Sequence, residues 1–149
     1  NELEEDTFAV SEAMEGLIRE MALIKEGVFK GYTIASIRKQ EAEDINRVCQ
    51  FYWEQTQLKS KCLIIVDEAI DIHHASTVSW KLFNNIDANR DIARIADDQG
   101  NVHVLIDATK KGPMDGHHRP WPDDIIMSEE IKEKVNDKWE VYGIEKNHQ

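Results

Sequence analysis

The chain has 149 residues and a formal net charge of −11, with 41% apolar and 32% charged residues. This length suits a single domain over residues 1–149, and the composition is typical of a folded protein in water rather than a disordered one. No apolar run reaches the roughly 20 residues that cross a bilayer, which excludes a membrane span. The negative charge argues against a nucleic-acid partner, because a polyanion would be repelled from most of the surface.

The first residues, "NELEEDTF", are acidic and lack the basic and apolar regions of a signal peptide, so we expect a cytoplasmic protein. The two cysteines, Cys49 and Cys62, match no metal or redox spacing. In a reducing compartment we expect both to be unpaired packing residues.

The first half of the chain alternates between helical and strand patterns. Apolar residues at helical spacing predict a helix from about Thr7 to Ile24, which could extend from the domain as an N-terminal helix over residues 1–25. "YTIASI" (Tyr32–Ile37) predicts a strand. "EAEDINRVCQFYWEQTQ" predicts a second helix. The five apolar residues of Cys62–Val66 suit a central strand that is covered on both faces.

The second half continues the alternation. A helix capped by Ser76 is expected to end at "NNID", and "DIARIA" and "VHVLID" predict two strands with "DDQG" between them. A last helix follows Ser128 and ends near Gly143. This order predicts an α/β fold: a layered domain with a mixed, mostly parallel sheet flanked by helices.

Acidic residues follow the two most apolar strands. Asp67, Glu68 and Asp71 come after the first, and Asp107 after the second. If these strands are parallel, the carboxylates meet at one edge of the sheet, where open α/β sheets bind ligands. They could form an acid–base pair, or they could cap the next helix and bind arginines such as Arg90.

The loop from Ala108 to Pro122, within "IDATKKGPMDGHHRPWP", is locally basic in an acidic chain. Its charged residues other than histidine are three cations and one acid: Lys110, Lys111, Arg119 and Asp115. Glycines allow the backbone to approach closely, so the loop could receive a phosphate or a carboxylate. Alternatively, the two lysines are solvated or pair with the acids at 123 and 124. Trp121, between two prolines, is expected to anchor the loop.

The remaining motifs indicate structure rather than chemistry. The adjacent pairs His73–His74 and His117–His118 cannot converge on one centre, so we assign no metal ligand. No nucleophile motif occurs either, and no catalytic residue is assigned. The tryptophans at 53, 80 and 139 are expected to fill the core or an interface.

Three stretches, "CLIIVDEAIDIHHASTVSWKLFNNIDANRDI", "IDATKKGPMDGHHRPWPDDI" and "VNDKWEVYGI", resemble the C-terminal domain of the UbiD family. These are prenylated-flavin-dependent carboxy-lyases, including polyprenyl-hydroxybenzoate and menaquinone-pathway decarboxylases. The likeness covers about Glu26 to Ile144. Two features depart from it: Ala69 stands where the family has an acid, and "ADDQGN" is shorter than the usual segment. The latter is either a true short hairpin or a sign that residues are missing near Asp97–Asn101.

The resemblance implies a parent protein that decarboxylates aromatic or α,β-unsaturated acids with prenylated FMN, Mn²⁺ and K⁺. The family's catalytic Glu-Arg-Glu set and metal ligands belong to an N-terminal flavin-binding domain, and nothing in this chain matches them. The chain is therefore expected to be an accessory and oligomerisation domain, forming a homo-oligomer and not catalytic alone.

One functional position carries over from the family. The lysine of "DATK" lies near the flavin phosphate in some members, which makes Lys110 the first candidate for cofactor binding and Arg119 the second. The strand-end acids and Arg90 would then be structural. The alternative is an independent α/β module that binds a small phosphate-bearing ligand.

Overall fold

A single sheet is the framework of the fold. The structure, a computed structural model, describes residues 6–7, 14–55, 60–97, 99–119, 125–139 and 141–143. The strands and α-helices of these residues follow in this order: β1 (Asp6–Thr7), β2 (Ile18–Leu23), β3 (Thr33–Ile37), α1 (Asp44–Gln55), β4 (Cys62–Asp67), α2 (Ala75–Asn85), β5 (Ile92–Ala96), β6 (Val102–Asp107) and α3 (Glu129–Asp137).

The described strands form one mixed sheet in the order β1-β2-β3-β4-β6-β5. The central strands β3, β4 and β6 are parallel, with Ile37 opposite Asp67 and Ile65 opposite Asp107. The outer pairings, β1 with β2, β2 with β3 and β5 with β6, are antiparallel. Parallel neighbours need long crossovers, and α1 and α2 lie within the two crossovers of this sheet.

Strand β4 is buried on both faces, as its unbroken apolar run predicts. Leu63 and Ile65 belong to one apolar cluster with residues of α1, whereas Ile64 and Val66 belong to a second cluster with residues of α2. Successive side chains of a strand point to opposite faces, so α1 and α2 cover opposite sides of the sheet. The predicted α/β fold with a mixed sheet flanked by helices is confirmed. Two of the five pairings among the described strands are parallel, so the sheet is partly rather than mostly parallel.

The first predicted helix is wrong over its second half, where the chain forms strand β2. The cause is a bulge: Ile18 pairs with Ile37, whereas Glu20 already pairs with Ser36. The extra residue places Ile18 and Met21, three apart, in the same apolar cluster. A bulged strand thereby imitates helical spacing. Residues 8–13 lie outside the described part of the chain.

The other predicted elements are confirmed, with shifted ends. α2 begins at Ala75 with His74, rather than Ser76, at its N-cap position. α3 follows Ser128 as predicted but ends at Asp137, well before Gly143. None of the described helices is both long and apolar enough to cross a bilayer.

Strands β5 and β6 form a short hairpin, with Ala96 paired to Val102. Asp97 closes the turn, because its carboxylate accepts the backbone N–H and the side-chain amide of Asn101 at 2.8 and 2.9 Å. Gly100 has a φ of 82°, a conformation that favours glycine. The short "ADDQGN" segment is therefore sufficient to join the two strands.

The two cysteines pack in different clusters. Cys62 is buried in the cluster beneath α2, and Cys49 packs against the cluster beneath α1. Both thiols are free, and burial raises the pKa of each to about 11. Their side chains lie on opposite faces of the sheet, which supports their predicted role as packing residues.

A buried hydroxyl network joins α1 to the starts of β3 and β4. The Tyr52 hydroxyl lies 2.9 Å from Thr33 Oγ1 and accepts the Ser60 backbone N–H at 2.7 Å. Ser60 Oγ in turn accepts the Thr33 N–H and donates to the Cys62 carbonyl. Because no water reaches these groups, each depends on the others for its hydrogen bonds.

We expect Tyr52→Phe to lower the free energy of unfolding by about 1–3 kcal/mol, because it leaves buried partners unsatisfied. Tyr32→Phe is the matched control: Tyr32 is 37% exposed, and its loss of a hydroxyl should change stability by less than about 0.5 kcal/mol. Urea denaturation of both variants measures the difference. Equal effects would contradict the structural role of the network.

Candidate functional site: the carboxyl edge of the sheet

The carboxyl ends of β3, β4 and β6 meet at one edge of the sheet, here called the carboxyl edge. Its residues are Lys39, two positions beyond β3, and the final residues of β4 and β6, Asp67 and Asp107. The prediction that the two strand-end acids share an edge is confirmed by the parallel pairing of β4 and β6. This is the edge at which open α/β sheets bind ligands.

Asp67 receives the loop that follows β6. Its two carboxylate oxygens accept the backbone N–H of Lys110 at 3.0 and 3.2 Å. Burial raises the pKa of Asp67 above its ordinary value of 3.8, and the Asp107 carboxylate adds to this effect. The Lys110 N–H and the ammonium groups of Lys81 and Lys111 oppose the rise.

Lys39 and Lys111 form the centre of a buried ion network with Asp91, Asp107 and Asp115. Lys39 Nζ lies 2.5 Å from Asp115 Oδ1 and 3.8 Å from Asp107 Oδ2, with 5% of its side chain exposed. Lys111 Nζ lies 3.1 Å from Asp107 Oδ2 and 3.8 Å from Asp91 Oδ1, with 1% exposed. Charges buried this deeply are tolerated only when they are paired.

Backbone carbonyls complete the coordination of Lys111. Its ammonium donates to the Asp107 carbonyl at 2.9 Å and to the Thr109 carbonyl at 2.8 Å. Thr109 is held in turn, because its N–H and hydroxyl both donate to Asp107 Oδ1. The side chain of Lys111 thus fastens the loop to the strand it has just left.

Arg90 closes the network on its outer side. Its Nε and Nη2 donate to the two oxygens of Asp91 at 2.7 and 2.8 Å. Burial alone would raise the pKa of Asp91, but the bonds from Arg90 and the Asp87 N–H, with the charge of Lys111, hold it below its usual value. Arg90 therefore pairs with its sequence neighbour and not with the acids that follow β4.

A cleft of about 240 Å³ opens beside this network, bounded by Ile45 and Asn46 of α1 and by Arg90 and Ala93 next to and within β5. The charged groups that face it are those of the network. They satisfy one another inside the protein, as the distances above show. The cleft therefore needs no ligand to balance its charge.

Both predicted site residues lie in the described part of the chain. Lys110 is solvent-exposed, with its backbone fixed at the carboxyl edge by Asp67. Arg119 is also exposed, at the end of a described segment. Pro120, Trp121, Pro122 and the acids at 123 and 124 lie outside the described residues, so the proposed anchoring by Trp121 stays a prediction.

The other polar motifs have structural partners. His73 Nε2 lies 2.7 Å from Glu20 Oε1, and His74 Nδ1 lies 2.5 Å from Thr77 Oγ1. Glu68 pairs with Arg38 at 2.8 Å. Asp71 accepts the N–H of His73 and so shapes the turn before α2. In the described part of the chain, no three histidine, cysteine or acidic residues are grouped to hold a metal ion.

Sequence reasoning missed Lys39 altogether and gave Lys111 no role of its own. Lys39 had one usable signal, since it follows a predicted strand just as Asp67 and Asp107 do. Lys111 had none, because nothing in "KK" tells which lysine turns inward.

Comparison with known proteins identifies the family of this chain. The family described as "3-octaprenyl-4-hydroxybenzoate carboxy-lyase C-terminal domain" matches residues 4–114. This chain belongs to the UbiD family. An uncharacterized protein of Archaeoglobus fulgidus is 30% identical over 127 residues, which cover 76% of this chain and 26% of that protein. The chain thus spans about a quarter of that relative's length.

Solved structures of UbiD-class enzymes share the fold. Vanillic acid decarboxylase of Sedimentibacter hydroxybenzoicus in its closed form superposes with a TM-score of 0.67 at 19% identity, over 86% of this chain and 30% of that one. HmfF of Pelotomaculum thermopropionicum in complex with FMN gives 0.64 at 20% identity, over 83% and 30%. An evolved dimeric form of HmfF, in complex with prFMN, gives 0.61 at 19%, over 83% and 27%.

Adjacent lysines provide a direct test of the buried network. Lys111→Met should destabilise the fold by about 3–5 kcal/mol, because it leaves buried carboxylates and two carbonyls without their cation. Lys110→Met removes the same charge from an exposed position and should cost less than about 0.5 kcal/mol. Urea denaturation at neutral pH compares them. Similar losses for both variants would show that Lys111 is not the buried partner.

The network also predicts a pH dependence. Burial alone would raise the pKa of Asp115, but Lys39, the Gly112 N–H and Lys111 together hold it below 3.8. A lowered folded pKa stabilises the fold above the unfolded value, and this contribution is lost as pH falls through the folded one. Asp115→Asn should therefore cost about 1–3 kcal/mol at neutral pH, and the difference from wild type should shrink below about pH 3.8.

Denaturation of wild type and Asp115→Asn from pH 2 to pH 7 measures this dependence. The exposed Asp137→Asn serves as the control and should follow wild type across the range. A gap between Asp115→Asn and wild type that stays constant with pH would contradict the assignment.

Proposed function

We propose that this chain is the C-terminal accessory and oligomerisation domain of a longer UbiD-class decarboxylase that acts on aromatic or α,β-unsaturated carboxylic acids. The proposal rests above all on the family match over residues 4–114. Among the structures with a similar fold, HmfF is a UbiD-class enzyme and the Sedimentibacter hydroxybenzoicus protein is a vanillic acid decarboxylase. Since the chain spans 27–30% of those proteins, most of the catalytic protein would lie outside it.

The carboxyl edge is where this domain would meet the cofactor. Lys110 presents an exposed cation at the edge that favours ligands, on a backbone fixed by Asp67. An exposed ammonium group suits a phosphate, which it can contact as a point charge. Arg119 is the second candidate, from its place in the same loop. Lys111 is unsuited to this task, because its ammonium is already bound to the Asp107 and Thr109 carbonyls and to the Asp107 carboxylate.

Prenylated FMN, when bound to the longer protein, would supply the reactive ring system on which the substrate loses CO₂. This chain would contribute charge and position at the phosphate and no step of the chemistry. Mn²⁺ and K⁺ would belong to the flavin-binding domain, since the described residues offer no metal-holding group of three side chains.

Exposed apolar side chains support an oligomer or a domain interface. Phe83 of α2 is 77% exposed, and Trp80 on the same helix is 51% exposed beneath the Lys81 ammonium. Further large apolar side chains at least three-quarters exposed are Val28, Ile125, Ile126 and Val141. Trp80 and Phe83 are three positions apart and therefore share one face of α2, and exposed apolar patches of this kind are typically covered by another subunit or domain. A cytoplasmic location is part of the same proposal.

A chimera tests the proposed role of Lys110. This chain would replace the corresponding C-terminal part of HmfF, and binding of FMN would be followed by flavin fluorescence. Lys110→Ala should weaken FMN binding about tenfold, the value of one charge-assisted contact, and lower turnover with it. Lys134→Ala, an exposed lysine on α3, is the charge-matched control. Unchanged FMN affinity in Lys110→Ala would remove the cofactor role.

The alternative, an independent module for phosphate-bearing ligands, predicts binding by the 149-residue chain alone. Calorimetry with FMN and with inorganic phosphate separates the two functions. We expect no heat of binding. A dissociation constant below about 1 mM would favour the independent module.

A further inference from the structure

One backbone hydrogen bond that is expected between β4 and β6 does not form. Parallel neighbours bond at every second residue, and at the end of this ladder the Ala108 N–H donates to the Ile65 carbonyl at 2.8 Å. The next bond in this series would join the Lys110 N–H to the Asp67 carbonyl. That carbonyl instead accepts the N–H of Ile70 at 3.0 Å, which turns the chain away from β4.

The side chain of Asp67 takes the place of its own carbonyl. Both carboxylate oxygens accept the Lys110 N–H, so the ladder gains one more step although β4 has already turned away. A bond from an N–H to a carboxylate is stronger than one to a carbonyl. The position of Lys110 relative to β4 is therefore set by one side chain.

The two adjacent lysines differ in burial. The Lys111 ammonium faces inward onto Asp107 and Asp91, with 1% of the side chain exposed. Lys110, the residue before it, is exposed. The Asp67 contact therefore fixes the backbone of an exposed lysine, and Lys111 fastens the next residue to the interior.

We propose that Asp67 is the positioning residue for Lys110: its carboxylate fixes the backbone from which that lysine reaches the phosphate of a flavin nucleotide. The inference rests on the proposed function for the use of Lys110, but the bond itself can be measured without any cofactor. Asp67 would touch no ligand and would act only through the loop.

The first experiment follows the Lys110 amide by NMR in the 149-residue chain. As pH falls through the raised pKa of Asp67, the amide proton should shift upfield, because a protonated carboxyl is a weaker acceptor. The charged groups near Asp67 are Lys81, Lys111 and Asp107. Asp67→Asn removes only the Asp67 titration, so the shift must vanish in that variant. A Lys110 amide that does not titrate in wild type overturns the inference.

The second experiment is a double-mutant cycle in the HmfF chimera, with FMN as the probe. Asp67→Asn should weaken FMN binding about threefold, because an amide still accepts one bond from Lys110. In a Lys110→Ala background it should have no further effect, since Asp67 acts through that lysine. An equal loss in both backgrounds would overturn positioning through Lys110.

The two experiments distinguish the possible failures. If Lys110→Ala leaves FMN binding unchanged, the proposed cofactor role of Lys110 fails, and the positioning role fails with it even where the amide titrates. If Lys110→Ala weakens binding and the amide does not titrate, only the role of Asp67 is lost. Wild-type NMR provides this answer even if Asp67→Asn does not fold.

Discussion

The buried ammonium of Lys111 is the interaction on which the carboxyl edge depends. It neutralises Asp107 and Asp91 and binds two carbonyls of the loop that has just left β6. Removing it would leave largely buried carboxylates without their cation, and breaking a buried ion pair in this way costs several kcal/mol. The same contact determines which of two adjacent lysines is exposed. The Lys111 side chain therefore contributes to the stability of the fold and to the exposure of Lys110 on which the proposed function depends.

The network also determines how the charged groups of the carboxyl edge are used. Lys39, Asp115, Arg90 and Asp91 are paired within it, so the groups nearest the strand ends are used structurally. A catalytic acid or base needs a proton that it can exchange with substrate, and these groups are committed to each other. The accessory role proposed above requires only that this edge hold the loop after β6 and present Lys110.

The sequence predicted those parts of the fold that depend on local pattern. The five apolar residues from Cys62 and the acids after them placed β4 and its edge correctly. The sequence-based prediction failed at β2. The bulge beside Ile18 arises from pairing with β3, and in the sequence it shows only as apolar residues at helical spacing. The role of Lys111 was hidden for a similar reason. Its partner Asp91 lies before β5, and Lys39, which shares the Asp107 carboxylate with it, follows β3. Long-range pairing decided both cases.

The network has a consequence for how the protein is made. Lys39 and Asp115 are 76 positions apart, and their contact requires the three parallel strands to be in place. A nascent chain leaves the ribosome from its N-terminus, so Lys39 and Asp91 emerge before Lys111 and Asp115. Until the later residues have emerged, the side chains of Lys39 and Asp91 remain solvated by water. Closing such a distant contact is slow compared with forming a helix or hairpin. Any product that terminates before residue 111 lacks the cation that closes the edge, and we expect quality-control proteases to remove it.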